Sequence, residues 1–143
     1  MLKDARLRIV DFQTAHRGPG LYDAASLLKD AYHPVSPPER RRLVAELHAK
    51  LRARGAPEER RFEDFYGAFT LAGVQRNLQA LAAFVKLGTR MGKPRFLDSI
   101  PNGIDLLEEG VRESRALPGL GTMIAAIRER MRSPRGGFSP PRP

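Results

Sequence analysis

Apolar residues recur every three or four positions along most of the chain, which is the spacing that predicts amphipathic helices. The pattern predicts a short helix over residues 22–32, which Pro34 stops. A second helix is predicted to begin after Ser36, where Pro37 suits the first helical turn, and to end at Gly55. The first half of the chain is therefore predicted to hold two helices.

The longest periodic segment runs from Phe62 to about Met91 and is stopped by Pro94. At 1.5 Å per residue, one helix of this length would extend roughly 45 Å, which is more than a small domain needs. We therefore expect a core helix or a helix pair, with Gly67 or Gly73 as the point of a kink or break.

Two more helices are predicted, one after Pro101 and one over residues 120–131. Residues 133–143 are almost entirely Pro, Gly, Ser and Arg, a composition that predicts a disordered tail. Alternation of apolar and polar residues over 7–12 predicts a short N-terminal β-strand or hairpin. The predicted fold is mainly α, with one domain over residues 1–132.

The composition excludes several classes of protein. The chain has 143 residues, no cysteine and no apolar run of membrane-spanning length, so disulfides, thiolate metal sites and a membrane partner are not expected. A cytoplasmic location is the default expectation. The formal charge of +9 is mostly arginine scattered over amphipathic segments, which favours solvated helix faces over nucleic-acid binding.

Asp11 is the first candidate for chemistry, because it leaves the predicted strand and is followed by Phe12 and Gln13. An aspartate in this setting is typical of kinases, where it holds magnesium against the nucleotide phosphates. The alternative is that Asp11 caps a turn. The sequence that follows it, with Gly18-Pro19-Gly20, forces a turn. The resemblance to kinases described next implies that residues 11–20 are a metal-binding loop.

Four segments carry a resemblance to a known family. Residues 9–15 (IVDFQTA) and 22–32 (YDAASLLKDAY) resemble the metal-binding loop and following helix of the aminoglycoside-phosphotransferase and choline-kinase superfamily. Residues 71–81 (LAGVQRNLQAL) and 92–97 (GKPRFL) resemble the C-terminal helices of cell-wall-recycling sugar kinases. Those kinases phosphorylate the anomeric hydroxyl of N-acetylmuramate and N-acetylglucosamine.

The resemblance implies the helical C-lobe of a protein-kinase-like fold, from an ATP-dependent phosphotransferase that uses Mg²⁺. It implies that Asp11 is the magnesium ligand and that Asp23 supports the metal loop, although Asp23 also suits a helix N-cap. Gln75 and Arg76 would lie in the wall of the acceptor pocket. For Arg76, a structural ion pair with a carboxylate such as Asp30 or Asp64 is the alternative.

Family members also carry a catalytic loop of the form His-x-Asp-x-His-x-x-Asn upstream of the metal aspartate. The residues before Asp11 contain neither His nor Asn, and no nucleotide-binding lobe is present. We therefore expect a C-terminal fragment with no catalytic residue of its own, no tightly bound ATP or Mg²⁺, and a missing N-terminal kinase half as its partner. The rival hypotheses are a non-catalytic basic helical module that binds an acidic partner or RNA, and a non-functional remnant that aggregates.

Overall fold

The computed structural model describes residues 2–3, 6–7, 18, 20–55, 61–114 and 116–132. The described part is mostly helical, which confirms the prediction of a mainly α chain. Its helices are α1 (Leu21–Leu28), α2 (Pro37–Ala53), α3 (Phe62–Arg90), a 3₁₀ helix (Pro94–Ser99), α4 (Ile100–Ser114) and α5 (Pro118–Arg132).

A short hairpin precedes the helices. Strand β1 (Leu2–Lys3) pairs antiparallel with β2 (Arg6–Leu7), and Leu2 lies opposite Leu7. Of the strand predicted over residues 7–12, only Leu7 is among the described residues, so the rest of that strand stays a prediction. The predicted tail at 133–143 also lies outside the described residues.

Helix α1 is shorter than the predicted segment 22–32. It ends at Leu28, and the Lys29 N–H donates to the Ala25 carbonyl at 2.9 Å. Beyond it, Tyr32 packs edge-on against Phe84, with the ring centroids 5.3 Å apart. Contact with a distant helix therefore outweighs continuation of the local helical pattern.

Helix α2 begins and ends close to the predicted positions. It starts after Ser36, with prolines in its first two positions, where a missing N–H costs no hydrogen bond. The Ser36 side chain makes no capping hydrogen bond. After Ala53 the chain reaches Gly55, whose φ of +70° lies in the left-handed region that favours glycine after a helix.

Helix α3 is a single uninterrupted helix of 29 residues, which confirms the expected core helix and shows that a break or helix pair at Gly67 or Gly73 is wrong. The two glycines differ in their surroundings. A Cβ at Gly67 would meet nothing within 4 Å, whereas a Cβ at Gly73 would lie 2.5 Å from Cδ of Lys29. Gly73 thus provides room for a crossing side chain and leaves the helix intact.

The long helix α3 forms the centre of the fold, because α1, α2, α4 and the 3₁₀ helix all pack against it. None of the described helices combines the length and apolar character needed to cross a membrane. The buried apolar residues form three clusters along α3: Ala25, Val44, Phe65, Tyr66 and Phe69; then Val74, Ile104, Leu107, Val111 and Ile124; then Ala31, Ala80, Phe84 and Leu106.

Candidate functional site

A polar face forms where the first turn of α1 meets the middle of α3. The Tyr22 hydroxyl donates a hydrogen bond to Oε1 of Gln79 at 2.5 Å. Gln75 and Arg76 precede Gln79 by four and three residues, so the side chains of all three lie on neighbouring positions of one helix face. We call Tyr22, Gln75, Arg76 and Gln79 the polar face.

The two residues predicted to contact substrate lie on this face. Gln75 is exposed and Arg76 is half-buried. The alternative ion pairs for Arg76 are wrong within the described part of the chain, because Asp30 pairs with His33 and Asp64 lies nearest Arg61. The structure therefore brings Gln75 and Arg76 together, while their contact with substrate stays a prediction.

Asp23 is exposed in the first turn of α1, but it is not the N-cap, because Gly20 occupies that position. Its carboxylate still complements the positive end of the helix dipole. Most of the loop at residues 11–20 that Asp23 was predicted to support, namely residues 11–17 and 19, lies outside the described residues. Its supporting role therefore stays a prediction.

The predicted magnesium ligand, Asp11, lies outside the described residues. Within the described ranges, no group of three or more His, Asp and Glu side chains could hold a metal ion. The assignment of Asp11 as a magnesium ligand stays a prediction.

A buried group of charges in the described part of the chain is a feature that the sequence analysis did not predict. Four charged residues from α2, α4 and the end of α1 meet beside α3, and we call them the buried ionic cluster. Its cations, Lys29 and Arg40, have fully buried side chains. Its carboxylates, Glu109 and Glu113, are only partly exposed.

Within the buried ionic cluster, Glu109 contacts both cations. Lys29 Nζ lies 3.6 Å from Glu109 and 3.7 Å from Glu113, and Arg40 Nη2 donates a hydrogen bond to Glu109. Lys29 Nζ also lies 5.8 Å from the ring centroid of Phe69. Because two cations face two carboxylates, the cluster is close to electrically neutral.

Glycines on both neighbouring helices make space for the Lys29 side chain. Gly73 on α3 leaves room for its Cδ, and on α4 a Cβ at Gly110 would lie 3.7 Å from Nζ and 2.8 Å from Val74. The buried Lys29 side chain therefore lies in a narrow channel between α3 and α4 that the two glycines leave open.

A sequence signal for this cluster did exist. Arg40 precedes Val44 by four residues and His48 by eight, and all three are buried on one face of α2. A charged residue at an apolar phase of a helix is a candidate for a buried ion pair. The partner could not be identified, because Glu109 lies 69 residues away along the chain.

The stability of the fold is expected to depend on pH through Lys29. Burial, and then the nearby Arg40, lower the pKa of Lys29 from its ordinary 10.5. Between the lowered pKa and 10.5 the unfolded state binds more protons than the folded state, so the free energy of unfolding should rise with pH in that window. Lys29→Met should remove this rise.

Urea unfolding between pH 7 and 10 gives the free energy of unfolding of the wild type and of Lys29→Met. The difference between the two free energies at each pH measures the effect of Lys29. The comparison stays below pH 10 because of Tyr66. Burial, and then Glu113, raise the pKa of Tyr66 above its ordinary 10.0. Above pH 10, Tyr66 should therefore make the free energy of unfolding fall with pH, which is opposite to the effect of Lys29. A difference in free energy of unfolding that stays constant from pH 7 to pH 10 would contradict the expectation.

An apolar groove lies elsewhere on the described part of the chain. A groove of about 780 Å³ lies between α3, α4 and α5, and almost all its lining is aliphatic. Met123, Ile127 and Met131 of α5 remain exposed along it. A sugar needs several converging polar groups, which this groove does not offer. The polar face is therefore the better candidate for an acceptor site.

Comparison with known proteins gives three similar relatives, all named N-acetylmuramate/N-acetylglucosamine kinase. The relative from Pseudomonas aeruginosa is 35% identical over 127 residues, which is 89% of this chain. The relative from Neisseria meningitidis is 36% identical over 90% of the chain, and that from Pseudomonas putida is 36% identical over 83%.

The chain spans only 35–38% of the length of these relatives. No family model matches it. No solved structure matches it with statistical significance. The chain is thus similar to part of a group of sugar kinases.

Proposed function

We propose that this chain is the C-terminal helical lobe of an ATP-dependent sugar kinase that phosphorylates N-acetylmuramate or N-acetylglucosamine. The observation that carries the proposal is the identity of 35–36% to three kinases of that name over 83–90% of the chain. The mostly helical structure agrees with a helical lobe.

In this proposal, the polar face at the junction of α1 and α3 forms a wall of the acceptor pocket. Uncharged groups such as Gln75 and Gln79 can exchange hydrogen bonds with sugar hydroxyls, and Tyr22 orients Gln79. Asp11, in the segment that leads toward α1, is proposed as the magnesium ligand. Magnesium and ATP would supply charge neutralisation and the phosphoryl group.

We also propose that the 143 residues do not catalyse phosphoryl transfer alone. Phosphoryl transfer depends on several groups that position the reactants together, and their effects are strongly non-additive. The catalytic base and the nucleotide-binding groups would come from the N-terminal kinase half, which is the proposed partner.

The test is a chimera in which this chain replaces the similar segment of the P. aeruginosa relative. With ATP and Mg²⁺, the chimera is expected to phosphorylate N-acetylmuramate or N-acetylglucosamine, whereas this chain alone is not. An Asp11→Asn chimera serves as the matched negative control and should lose turnover, because the proposed metal ligand is removed. A folded chimera without turnover on either sugar would contradict the proposed function.

The rival basic module is disfavoured by the ion pairs on the surface. Arg41 pairs with Glu63 at 2.5 Å, and Arg42 pairs with carboxylates on its own helix. Arg128 on α5 binds two carboxylates of α4. The charges of these three arginines are thus offset by neighbouring carboxylates. RNA binding with a steep loss of affinity as salt rises would restore this rival.

A further inference from the structure

The two sugars of the proposed function differ in charge. N-acetylmuramate carries a carboxylate on a lactyl ether, whereas N-acetylglucosamine has an uncharged hydroxyl at that position. We infer that Arg76 binds this carboxylate and makes the site selective for the acidic sugar. The inference rests on the proposed function and deepens it by naming a specificity-determining residue.

The first support is the position of Arg76. It lies three residues before Gln79, so the Cβ atoms of the two residues are about 5–6 Å apart on one helix face. Gln79 accepts the hydrogen bond from Tyr22, which lies in the first turn of α1. Arg76 therefore lies on α3 one turn before the residue that Tyr22 of α1 contacts.

The second support is the state of the Arg76 side chain. Several arginines elsewhere in the described part are already paired: Arg40, Arg41, Arg42, Arg61 and Arg128 each contact a carboxylate. Across the described ranges, no carboxylate pairs with Arg76, although it is half-buried. Its guanidinium is thus free to form the two parallel hydrogen bonds that carboxylates accept.

The third support is that the neighbours of Arg76 on this face are uncharged. Gln75 and Gln79 offer amide groups that suit hydroxyls present in both sugars. Arg76 is the member of the polar face whose charge distinguishes a carboxylate from a hydroxyl. Loss of Arg76 should therefore affect one sugar far more than the other.

Binding to the full chain gives the direct test. Ligand-observed NMR or calorimetry compares N-acetylmuramate, its methyl ester and N-acetylglucosamine. The acid is expected to bind at least about ten-fold more tightly than the ester, because a charge-assisted hydrogen bond is lost in the ester. Arg76→Gln should abolish this preference and Arg76→Lys should restore part of it. Arg90→Gln, which removes the same charge near the end of α3, should leave it unchanged.

Equal affinities for acid and ester in the wild type, or no binding of any of the three, would overturn the inference. The same holds if Arg76→Gln, shown by thermal unfolding to remain folded, weakens all three equally, because Arg76 would then act through a carboxylate of the protein. The comparison of acid with ester needs no variant. Equal affinities would therefore overturn the inference even if the substituted chains do not fold.

Turnover of the chimera separates this inference from the proposed function. Arg76→Gln should raise KM for N-acetylmuramate at least about ten-fold and change KM for N-acetylglucosamine by less than about three-fold. An active chimera in which both KM values change equally would overturn the inference and leave the kinase proposal standing. An inactive chimera, with an acid preference that still depends on Arg76, would support the anion site and count against the kinase.

Discussion

Replacing Glu109 with alanine is expected to lower the free energy of unfolding by about 3–5 kcal/mol, since breaking a buried ion pair leaves an uncompensated buried charge. Glu109 lies 3.6 Å from Lys29 Nζ and accepts a hydrogen bond from Arg40. Both cations have fully buried side chains, and only Glu113 would remain to balance them. Urea denaturation followed by circular dichroism measures the change.

The neighbouring residue on α4 provides a matched control. Glu108 accepts a hydrogen bond from Arg128 Nε at 2.7 Å, but its side chain is 47% exposed, so water replaces the contact. Glu108→Ala should therefore cost less than about 1 kcal/mol. Equal losses of the free energy of unfolding in Glu109→Ala and Glu108→Ala would show that Glu109 stabilises the fold no more than a surface carboxylate does.

A double substitution tests the charge balance itself. Lys29→Met combined with Glu109→Ala leaves one cation, Arg40, and one carboxylate, Glu113. The double variant is expected to recover part of the stability lost by Glu109→Ala alone, because the cluster is again close to neutral. If the losses of the two single variants simply add in the double variant, packing and not charge balance determines the stability at this position.

Alanine at Gly73 and at Gly67 should change stability in opposite directions, although both residues lie inside α3. At Gly73 the new methyl group would lie 2.5 Å from Cδ of Lys29, whose side chain is fully buried, and the overpacking should cost about 1–3 kcal/mol. At Gly67 nothing lies within 4 Å, so removal of glycine from a helix interior should stabilise by about 0.5–1 kcal/mol.

Thermal and urea unfolding of the two single variants measure this difference directly. Each variant is the other's control, because both add one methyl group to the same helix. A stabilised Gly73→Ala would show that Lys29 can leave its channel between α3 and α4. A destabilised Gly67→Ala would mean that the helix needs flexibility at that point after all.

The sequence could relate neighbouring residues of the candidate site to one another but could not identify their distant partners, and the substrate contacts of Gln75 and Arg76 stay a prediction. Gln75 and Arg76 could be placed on one helix face, because their spacing alone sets that relation. The hydrogen bond from Tyr22 to Gln79 joins residues 57 positions apart and has no local signature. The preferred partner of Arg76 was wrong for the same reason, since proximity in space to Asp30 or Asp64 cannot be computed from spacing.

The sequence by itself determined where most helices begin and end. Pro37, Gly55 and Pro94 act through the backbone of their own residues, so their effects do not depend on the rest of the fold. The periodic apolar positions likewise determined that the chain is mainly helical.

Only the tertiary structure decided that α1 stops at Leu28, that α3 runs unbroken past Gly73, and that Lys29 is buried with Glu109. Each of these outcomes depends on side chains from distant parts of the chain meeting in one place. The cost of burying a charge, and the space that a missing Cβ leaves, are defined only once those neighbours are in position.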